Sequence, residues 1–420
     1  MLKTRKTCRI CNNPLSDILD LGSMSLPGYD GLAGHKFIQR KIPLVLTRCC
    51  PDENENACGL VQLRHTAPGS LIYPRYFYRS GINRTMTEHL HEIAQRAIDL
   101  TNLQPEDTVI DIGCNDGTSL AYYADKGFKN LYGFDPASNM AEHSRKTGAT
   151  IVEDYFRFNA YRDNCPEPAK IISSIAMFYD LEDPNEFVND IQDALRPDGI
   201  WVLELSYLPT MLEQVAFDTI CHEHIAYYSL TVMENLLARH NLVIVDIYLN
   251  DTNGGSFQLY VGRMEHWKQS KKTQEYIREL KETEFEMGLD TYEPYAFFSQ
   301  KVHEIRRHLA TDLRDLKNEG KKVFAYGAST KGAITLQWCG IDNDLVECCA
   351  DRNPVKWGTV INGTGIPIIS EDEARARKPD YFLVLPWHFM KEFKEREKEF
   401  LDRGGLFIVP VPQVKIVGKE

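Results

Sequence analysis

Short apolar runs alternate with stretches of helical periodicity along most of the chain. Over 87–100, Leu90, Ile93, Ala94, Ala97 and Ile98 fall at helical spacing, the pattern of one buried helix face. The β-branched pair Val109 and Ile110 then leads into Asp111 and a glycine-bearing stretch that ends at Gly117. A buried parallel strand is expected to stop there, with a helix over 118–126. Further runs at 131–135, 150–156, 170–175 and 200–205 read as strands, the last preceded by a turn at 195–199. The segments 243–248 and 256–261 read as a hairpin, with Asn253, Gly254 and Gly255 in its turn. Together these elements predict a seven-stranded sheet with antiparallel strands at one edge.

A second series follows. Residues 268–319 are charge-rich and mostly helical, and Gly320 marks their end. A strand over 322–327 runs into Gly327, Ser329, Thr330 and Lys331. A run over 346–351 ends in Asp351, and 380–385 and 405–410 read as two more buried strands. Strands separated by helical stretches describe a second doubly wound sheet. At 420 residues the chain has room for three units, placed at 1–70, 71–265 and 266–420.

Composition narrows the class. With 43% hydrophobic and 26% charged residues, the chain reads as ordinary globular protein. A net charge of −12 argues against a nucleic-acid-binding surface. No apolar run reaches the roughly 18 residues of a membrane span, and the basic N-terminus lacks an apolar signal region. The expectation is a cytoplasmic protein with reduced cysteines, without nucleic-acid or membrane partners. Cys8 and Cys11 form a C-x-x-C knuckle, and Cys49, Cys50 and Cys58 form a second cluster. Two thiolate-bearing turns suit tetrahedral zinc, with Cys49 preferred over Cys50 as the fourth ligand. The segment between them is rich in Gly, Pro and Ser and is expected to bury little core. Four thiolates leave no open position, so such a zinc is structural.

The stretch from Asp111 to Gly117 carries the first candidate chemistry. Gly113 lets a ligand approach the backbone closely, and the following helix offers free N–H groups. A dinucleotide site would read G-x-G-x-x-G, whereas this loop reads D-x-G-x-x-x-G with Asn115 and Asp116 inside it. It resembles motif I of the class I S-adenosylmethionine (SAM) methyltransferases. Asp135, at the tip of the next strand, is placed to grip a ribose diol. Asp154, after the third strand, is an adenine-edge candidate. The 195–199 turn before an apolar strand is likewise similar to those methyltransferases. The 73–81 stretch is dense in aromatics, and Tyr76 and Tyr78 are candidate pocket walls. In His222-Glu223-His224 the H-E-x-x-H zinc-protease motif is absent. Adjacent His and Glu at a sheet's carboxyl edge suit a proton acceptor and its orienting carboxylate. Ser329, Thr330 and Lys331 suit a diphosphate at a helix N-terminus, with Arg352 and Lys356 nearby.

In its whole order the chain resembles the SAM-dependent sugar C-methyltransferases that act on nucleotide-linked keto-deoxysugars. The cysteine knuckles, the 58–63 run, the 112–117 loop, the 217–229 segment and Gly254-Gly255-Ser256 carry the resemblance. So do the 326–332 and 351–354 elements and the 407–410 run. It implies an α/β fold: a class I SAM methyltransferase Rossmann-like domain between a small N-terminal zinc-binding domain and a C-terminal Rossmann-like α/β domain. It also implies His224 as base, with Glu223 assisting and Tyr76 or Tyr78 lining the site. In that reading His224 takes a proton from C3 of a nucleotide-diphosphate-linked 4-keto-6-deoxysugar, and Tyr76, Tyr78 or Tyr227 steadies the enolate oxygen. His222 remains open as the alternative base. Two residues depart from the family pattern: Cys221 where a tyrosine is usual, and Asn253 where histidine is common. The stretched second knuckle is a third departure. The alternatives are an O- or N-methyltransferase on another small molecule and a zinc-containing sugar-nucleotide-binding regulator. A monomer or homodimer is expected.

Overall fold

In a computed structural model the described residues are 2–26, 28–30, 41–73, 76 and 78–419. Pro74, Arg75 and Phe77 of the aromatic stretch lie outside them, as do residues 27 and 31–40 between the cysteine clusters.

The central sheet has seven strands in the order Leu242–Asn250, Ser256–Arg263, Leu195–Ser206, Ala169–Ile175, Thr108–Ile112, Asn130–Phe134 and Thr150–Val152. Ser256–Arg263 runs antiparallel to both neighbours and the remaining pairs are parallel. All five residues of Thr108–Ile112 are buried, as a strand covered on both faces requires. Helix Arg84–Thr101 covers one face with Leu90, Ile93, Ala94 and Ala97. The Asn83 side chain caps it by accepting from the Thr85 N–H. The turn expected at 195–199 is instead part of one long strand. Its register jumps from Ala169 opposite Leu195 to Ile171 opposite Ile200, so Arg196–Gly199 bulge out of the ladder. A Cβ on Gly199 would meet the Ala169 carbonyl oxygen at 2.8 Å, which holds that bulge to glycine.

The C-terminal sheet runs Ile368–Ser370, Cys349–Asp351, Val323–Tyr326, Tyr381–Val384, Leu406–Val409 and Lys415–Val417. Only its last strand is antiparallel.

The N-terminal segment departs from expectation. Far from burying little core, it forms an antiparallel sheet of Leu15–Ser25, Lys41–Cys49 and Val61–Leu63. Leu44, Leu46, Val61 and Leu63 are fully buried there. The reason is borrowed surface. Ala226–Tyr227, from the middle of the chain, adds the fourth strand. Val302, Ile305 and Leu309 of helix Glu293–Asn318 share the same apolar cluster. That cluster continues through Phe217 and Ile220 to Leu383 and Ile408 of the C-terminal sheet. The packing of the central unit also extends past 265. Ile277 and Leu280 of helix Lys271–Glu286 join its core, and buried Glu284 accepts from the Tyr207 hydroxyl and the Leu230 N–H. Among the described residues no helix is long and apolar enough to cross a membrane.

Candidate active site

A cavity of about 410 Å³ opens at the carboxyl ends of the central strands and reaches the C-terminal unit. Open parallel sheets bind ligands at this edge, because each loop leaving a strand tip faces the same crevice. Gly113 lines it at φ 71°, a left-handed backbone that leaves no side chain between strand tip and cavity. Asp111 lines it too, buried, with its carboxylate accepting from the Ser173 hydroxyl at 2.6 Å. Burial pushes that carboxyl up to about 7. Asp135 accepts from the Asn115 N–H and the Ala137 N–H, both at 2.8 Å, so its carboxylate is held at the next strand's tip. Asp154 lines the same cavity but is engaged by Arg157 at 2.9 Å.

Two loop residues named from sequence do other work. Asp116 is outside the cavity and pins the aromatic stretch, accepting from the Gly81 N–H and the Thr118 hydroxyl. Gly117 also lies outside. A Cβ there would sit 2.8 Å from the Ser144 Cα, so its glycine serves helix packing. Asn115 reaches the cavity, yet its side chain accepts from the Ser80 N–H and donates to the Tyr78 carbonyl. These loop contacts therefore position the wall that carries Tyr76 and Tyr78. Both tyrosines line the cavity; Tyr76 is half-buried and Tyr78 is 47% exposed.

The opposite wall comes from the segment between residues 217 and 229. His224 lines the cavity, and its Nδ1 lies 3.1 Å from the Thr219 carbonyl oxygen. The Thr219 hydroxyl is 3.3 Å from the same nitrogen; a carbonyl only accepts, so the contact to it requires the tautomer with its proton on Nδ1, which leaves the lone pair on Nε2. Burial, then the nearby Lys331 ammonium, pushes the imidazole down to about 3, so it stays neutral. The Tyr179 ring packs against it at 4.3 Å between centroids. Glu223 lines the cavity with 8% exposure, and burial raises its carboxyl to about 7. His222 is not at this site: it is turned toward the N-terminal sheet, where its Nε2 lies 3.1 Å from the Ile42 carbonyl oxygen. Tyr227 is also outside the cavity lining, its hydroxyl donating to the His224 carbonyl oxygen at 2.8 Å, so it braces the His224 backbone.

Asp180 and Tyr179 line this cavity and were not anticipated, and Tyr73 joins them from the aromatic stretch expected to form a pocket wall. Asp180 lines the cavity, its Oδ1 is buried without a hydrogen-bond partner, and burial beside Glu223 raises its carboxyl well above the usual range. The available signal was positional: Phe178–Asp180 follows the tip of Ala169–Ile175, in the row of loops that faces the crevice. Glu204 was missed as well. It lines the cavity and is held by His89, 2.8 Å away, and by the Asn250 amide at 2.8 Å.

A second cavity of about 290 Å³ shares Tyr76, Tyr78, Glu223, Ser329 and Thr330 with the first. Arg79, Arg352, Lys356 and Arg396 line it, at the N-terminus of helix Thr330–Cys339. Asp351 repeats the Asp135 arrangement, accepting from the Ala328 and Asn353 N–H groups at 2.8 Å. Here, however, Lys356 sits on that carboxylate at 3.0 Å, so the strand tip presents a cation where the first sheet presents an acid. Lys331 lines the first cavity and not the second; its ammonium donates to the Asn253 carbonyl at 2.8 Å, away from the other cations.

At the N-terminus the sulfurs of Cys8, Cys11, Cys49 and Cys58 lie within 4.8 Å of one another. The Cys50 thiol is outside the group and points to the Arg48 carbonyl. Four thiols converging from two turns have the donor chemistry and spacing for a tetrahedral zinc.

Two expected results follow from these geometries. Asp135→Ala removes a carboxylate from the strand tip, at about 1.5–3 kcal/mol for a charged hydrogen-bonding group. SAM affinity measured by calorimetry should drop about ten- to hundredfold, and an unchanged affinity would remove Asp135 from the site. Glu223 gives a pH signature. Its carboxyl rises from 4.5 to about 7 on burial, so the folded state binds more protons than the unfolded state between those values. Stability therefore falls as pH rises through that window, and the loss persists above it. Glu223→Gln lifts this penalty, of order 3 kcal/mol at most. Its thermal midpoint should gain on wild type at pH 8 and not at pH 4, in melts without ligand. An equal offset at both pH values would mean that the carboxylate is solvated.

Comparison with known proteins agrees with the geometry. Residues 78–247 match the methyltransferase domain family, and residues 251–412 match the C-methyltransferase C-terminal domain family. The chain is 28% identical to the C-methyltransferase NovU of Streptomyces niveus over 421 aligned residues, which cover 98% of this chain and 97% of that protein. Among solved structures, a SAM-dependent methyltransferase from Clostridium acetobutylicum is 13% identical with a TM-score of 0.35. That match covers 42% of this chain and 92% of that one. The magnesium protoporphyrin IX methyltransferase of Synechocystis with bound SAM is 11% identical with a TM-score of 0.33, covering 43% and 81%. The glycine loop at the strand tips, the wall that carries His224 and a C-terminal sheet of the matching family sit in one chain, and its two matched domains support a SAM-dependent C-methyltransferase.

Proposed function

We propose that the enzyme methylates the carbon beside the ketone of a nucleotide-diphosphate-linked 4-keto-6-deoxysugar, with C3 as the methylated position. The observation that carries this reading is His224: a neutral imidazole whose Nδ1 proton is committed to the Thr219 carbonyl. Its Nε2 lone pair is thereby free to accept a proton in the cavity, as a general base requires. A C–H next to a ketone is acidic enough for such a base, because the resulting enolate spreads its charge onto oxygen. Lys331 stands close enough to depress the His224 imidazole. Lys331, His224 and Tyr76 line the same cavity, so the ammonium and the Tyr76 hydroxyl are available to steady the enolate oxygen. Glu223 and Asp180 line the same cavity, and burial holds both toward the protonated form, so each offers an O–H donor to the oxygen on which the enolate charge collects.

The cofactor fits the first cavity, where glycine leaves the strand tip bare at Gly113 and Asp135 presents a fixed carboxylate to a ribose diol. When bound, SAM supplies an electrophilic methyl on a sulfonium. The diphosphate fits the second cavity, where Arg79, Arg352, Lys356 and Arg396 surround a helix N-terminus capped by Ser329. Each of these cations is paired with a carboxylate, Arg79 with Asp116, Arg352 and Arg396 with Glu392, and Lys356 with Asp351, so a diphosphate would bind by competing for them at the helix N-terminus. Cys8, Cys11, Cys49 and Cys58 hold a zinc that braces the N-terminal sheet and takes no part in the transfer.

The test incubates the enzyme and SAM with thymidine-, cytidine- and guanosine-diphosphate keto-sugars and follows product mass and the site of methylation. Methylation at carbon on one member of the panel is expected. A methyl group found on oxygen or nitrogen overturns the reading.

A further inference from the structure

The wall that carries the base holds a second group of metal-ligating atoms. Donor atoms of Cys221, Glu223 and His224 all lie within 4.8 Å of one another. In a tetrahedral zinc site, bond lengths near 2.0–2.3 Å put donor atoms about 3.3–3.8 Å apart. Small side-chain rotations close that gap. Several features around the group favour a cation. The Thr219 carbonyl already accepts from His224 Nδ1, the outer-shell partner that leaves Nε2 to face a metal. Asp180 adds a carboxylate beside Glu223, with one oxygen buried and unpartnered. The Lys331 ammonium opposes a cation here, but its own carbonyl partner and Asp218 hold part of its field. Glu223 and His224 line the open cavity and Cys221 is buried behind them, so three protein ligands leave a fourth position on the cavity side for water or substrate.

We propose that Cys221, Glu223 and His224 form a second site for a soft divalent cation of the zinc class, and that filling it switches the enzyme off. The lone pair that would bind the metal is the one that accepts the substrate proton. A metal on Nε2 therefore removes the base without disturbing the SAM site. This rests on His224 as base only for the effect on turnover; the site itself rests on the three side chains.

The experiment uses the full chain, dialysed against buffered free zinc and analysed for metal, with SAM binding as the control for folding. Wild type should take up one zinc more than Cys221→Ser or Cys221→Ala, both of which retain the N-terminal four-cysteine zinc. Methyl transfer by wild type should fall by the factor a general base contributes, about 10²–10⁴, and recover on brief chelation. Within Cys221→Ser the ratio of turnover with and without zinc should return toward one. Equal metal content in wild type and both variants overturns the site. Extra metal in wild type without loss of turnover overturns the switch. A His224→Asn variant that still turns over in zinc-free buffer would instead fault the base, while the metal count stands separately.

Discussion

His224→Asn should lower turnover by about 10²–10⁴-fold, the usual contribution of a positioned general base. Asparagine keeps a hydrogen-bonding group on that wall but has no lone pair basic enough to take a carbon-bound proton. SAM affinity should be nearly unchanged, since Asp135 and Gly113 sit at the tips of other strands and make no hydrogen bond to His224. With the keto-sugar present and SAM absent, wild type should wash solvent deuterium into the sugar carbon, and the variant should not. Loss of exchange together with methylation identifies one C–H cleavage as the shared step. If exchange survives in His224→Asn, the base is another group, and the raised carboxyls of Glu223 and Asp180 become the next to test. His222→Asn serves as the control: its ring is turned to the Ile42 carbonyl, so exchange should persist.

Removing a ligand of the N-terminal zinc should have the largest effect on folding. A structural zinc in a small domain supplies about 10–16 kcal/mol of apparent binding free energy, which is also folding free energy. Cys11→Ser breaks a four-sulfur group that ties residues 8 and 11 to the end of strand Lys41–Cys49 and to Cys58. Arg9, between the knuckle cysteines, donates to the Gln62 side chain and the Leu63 carbonyl, so the damage reaches strand Val61–Leu63. That strand pairs with Ala226–Tyr227, two residues beyond His224. Metal analysis should find the chelator-resistant zinc gone in the variant, and its thermal unfolding should begin well below that of wild type. Turnover should fall with it, since the base-bearing segment loses its neighbour. A wild-type protein that is fully folded and metal-free would overturn the structural zinc.

The elements most legible in the sequence were those whose signal is local. Gly113 needed a left-handed backbone at a strand end, and the run Val109–Ile110 before it could only be a buried strand. Asp135 and Asp351 were found by the same spacing rule, and both occupy strand tips with the same pair of backbone donors. The knuckle at Cys8 and Cys11 needs only two residues a turn apart. Where the reading slipped, the cause was a contact distant in sequence. His222 and His224 are indistinguishable by type and spacing; the Ile42 carbonyl draws one away and the Thr219 carbonyl orients the other. Lys331 was expected beside a diphosphate at a helix N-terminus, yet its ammonium donates to the Asn253 carbonyl in the other cavity. Asp116 looked like a ligand group and proved to be an anchor for Gly81.

Sequence by itself determined two doubly wound sheets, their glycine loops and acidic strand tips, a four-cysteine cluster and the His222–His224 segment at the cavity. Each depends on backbone conformation or on residues a few positions apart, where propensity and periodicity act directly. Tertiary structure alone decided which atoms of those segments meet. It brought Asp180 beside Glu223 and Lys331 within the field of His224, from strands and loops far apart in sequence. It also gave the N-terminal segment a core, because Ala226–Tyr227 and helix Glu293–Asn318 supply the apolar surface it lacks alone. The altered acidities of Glu223, His224 and Asp111 arise at the same stage, since desolvation depends on what covers a group and not on its neighbours in the chain.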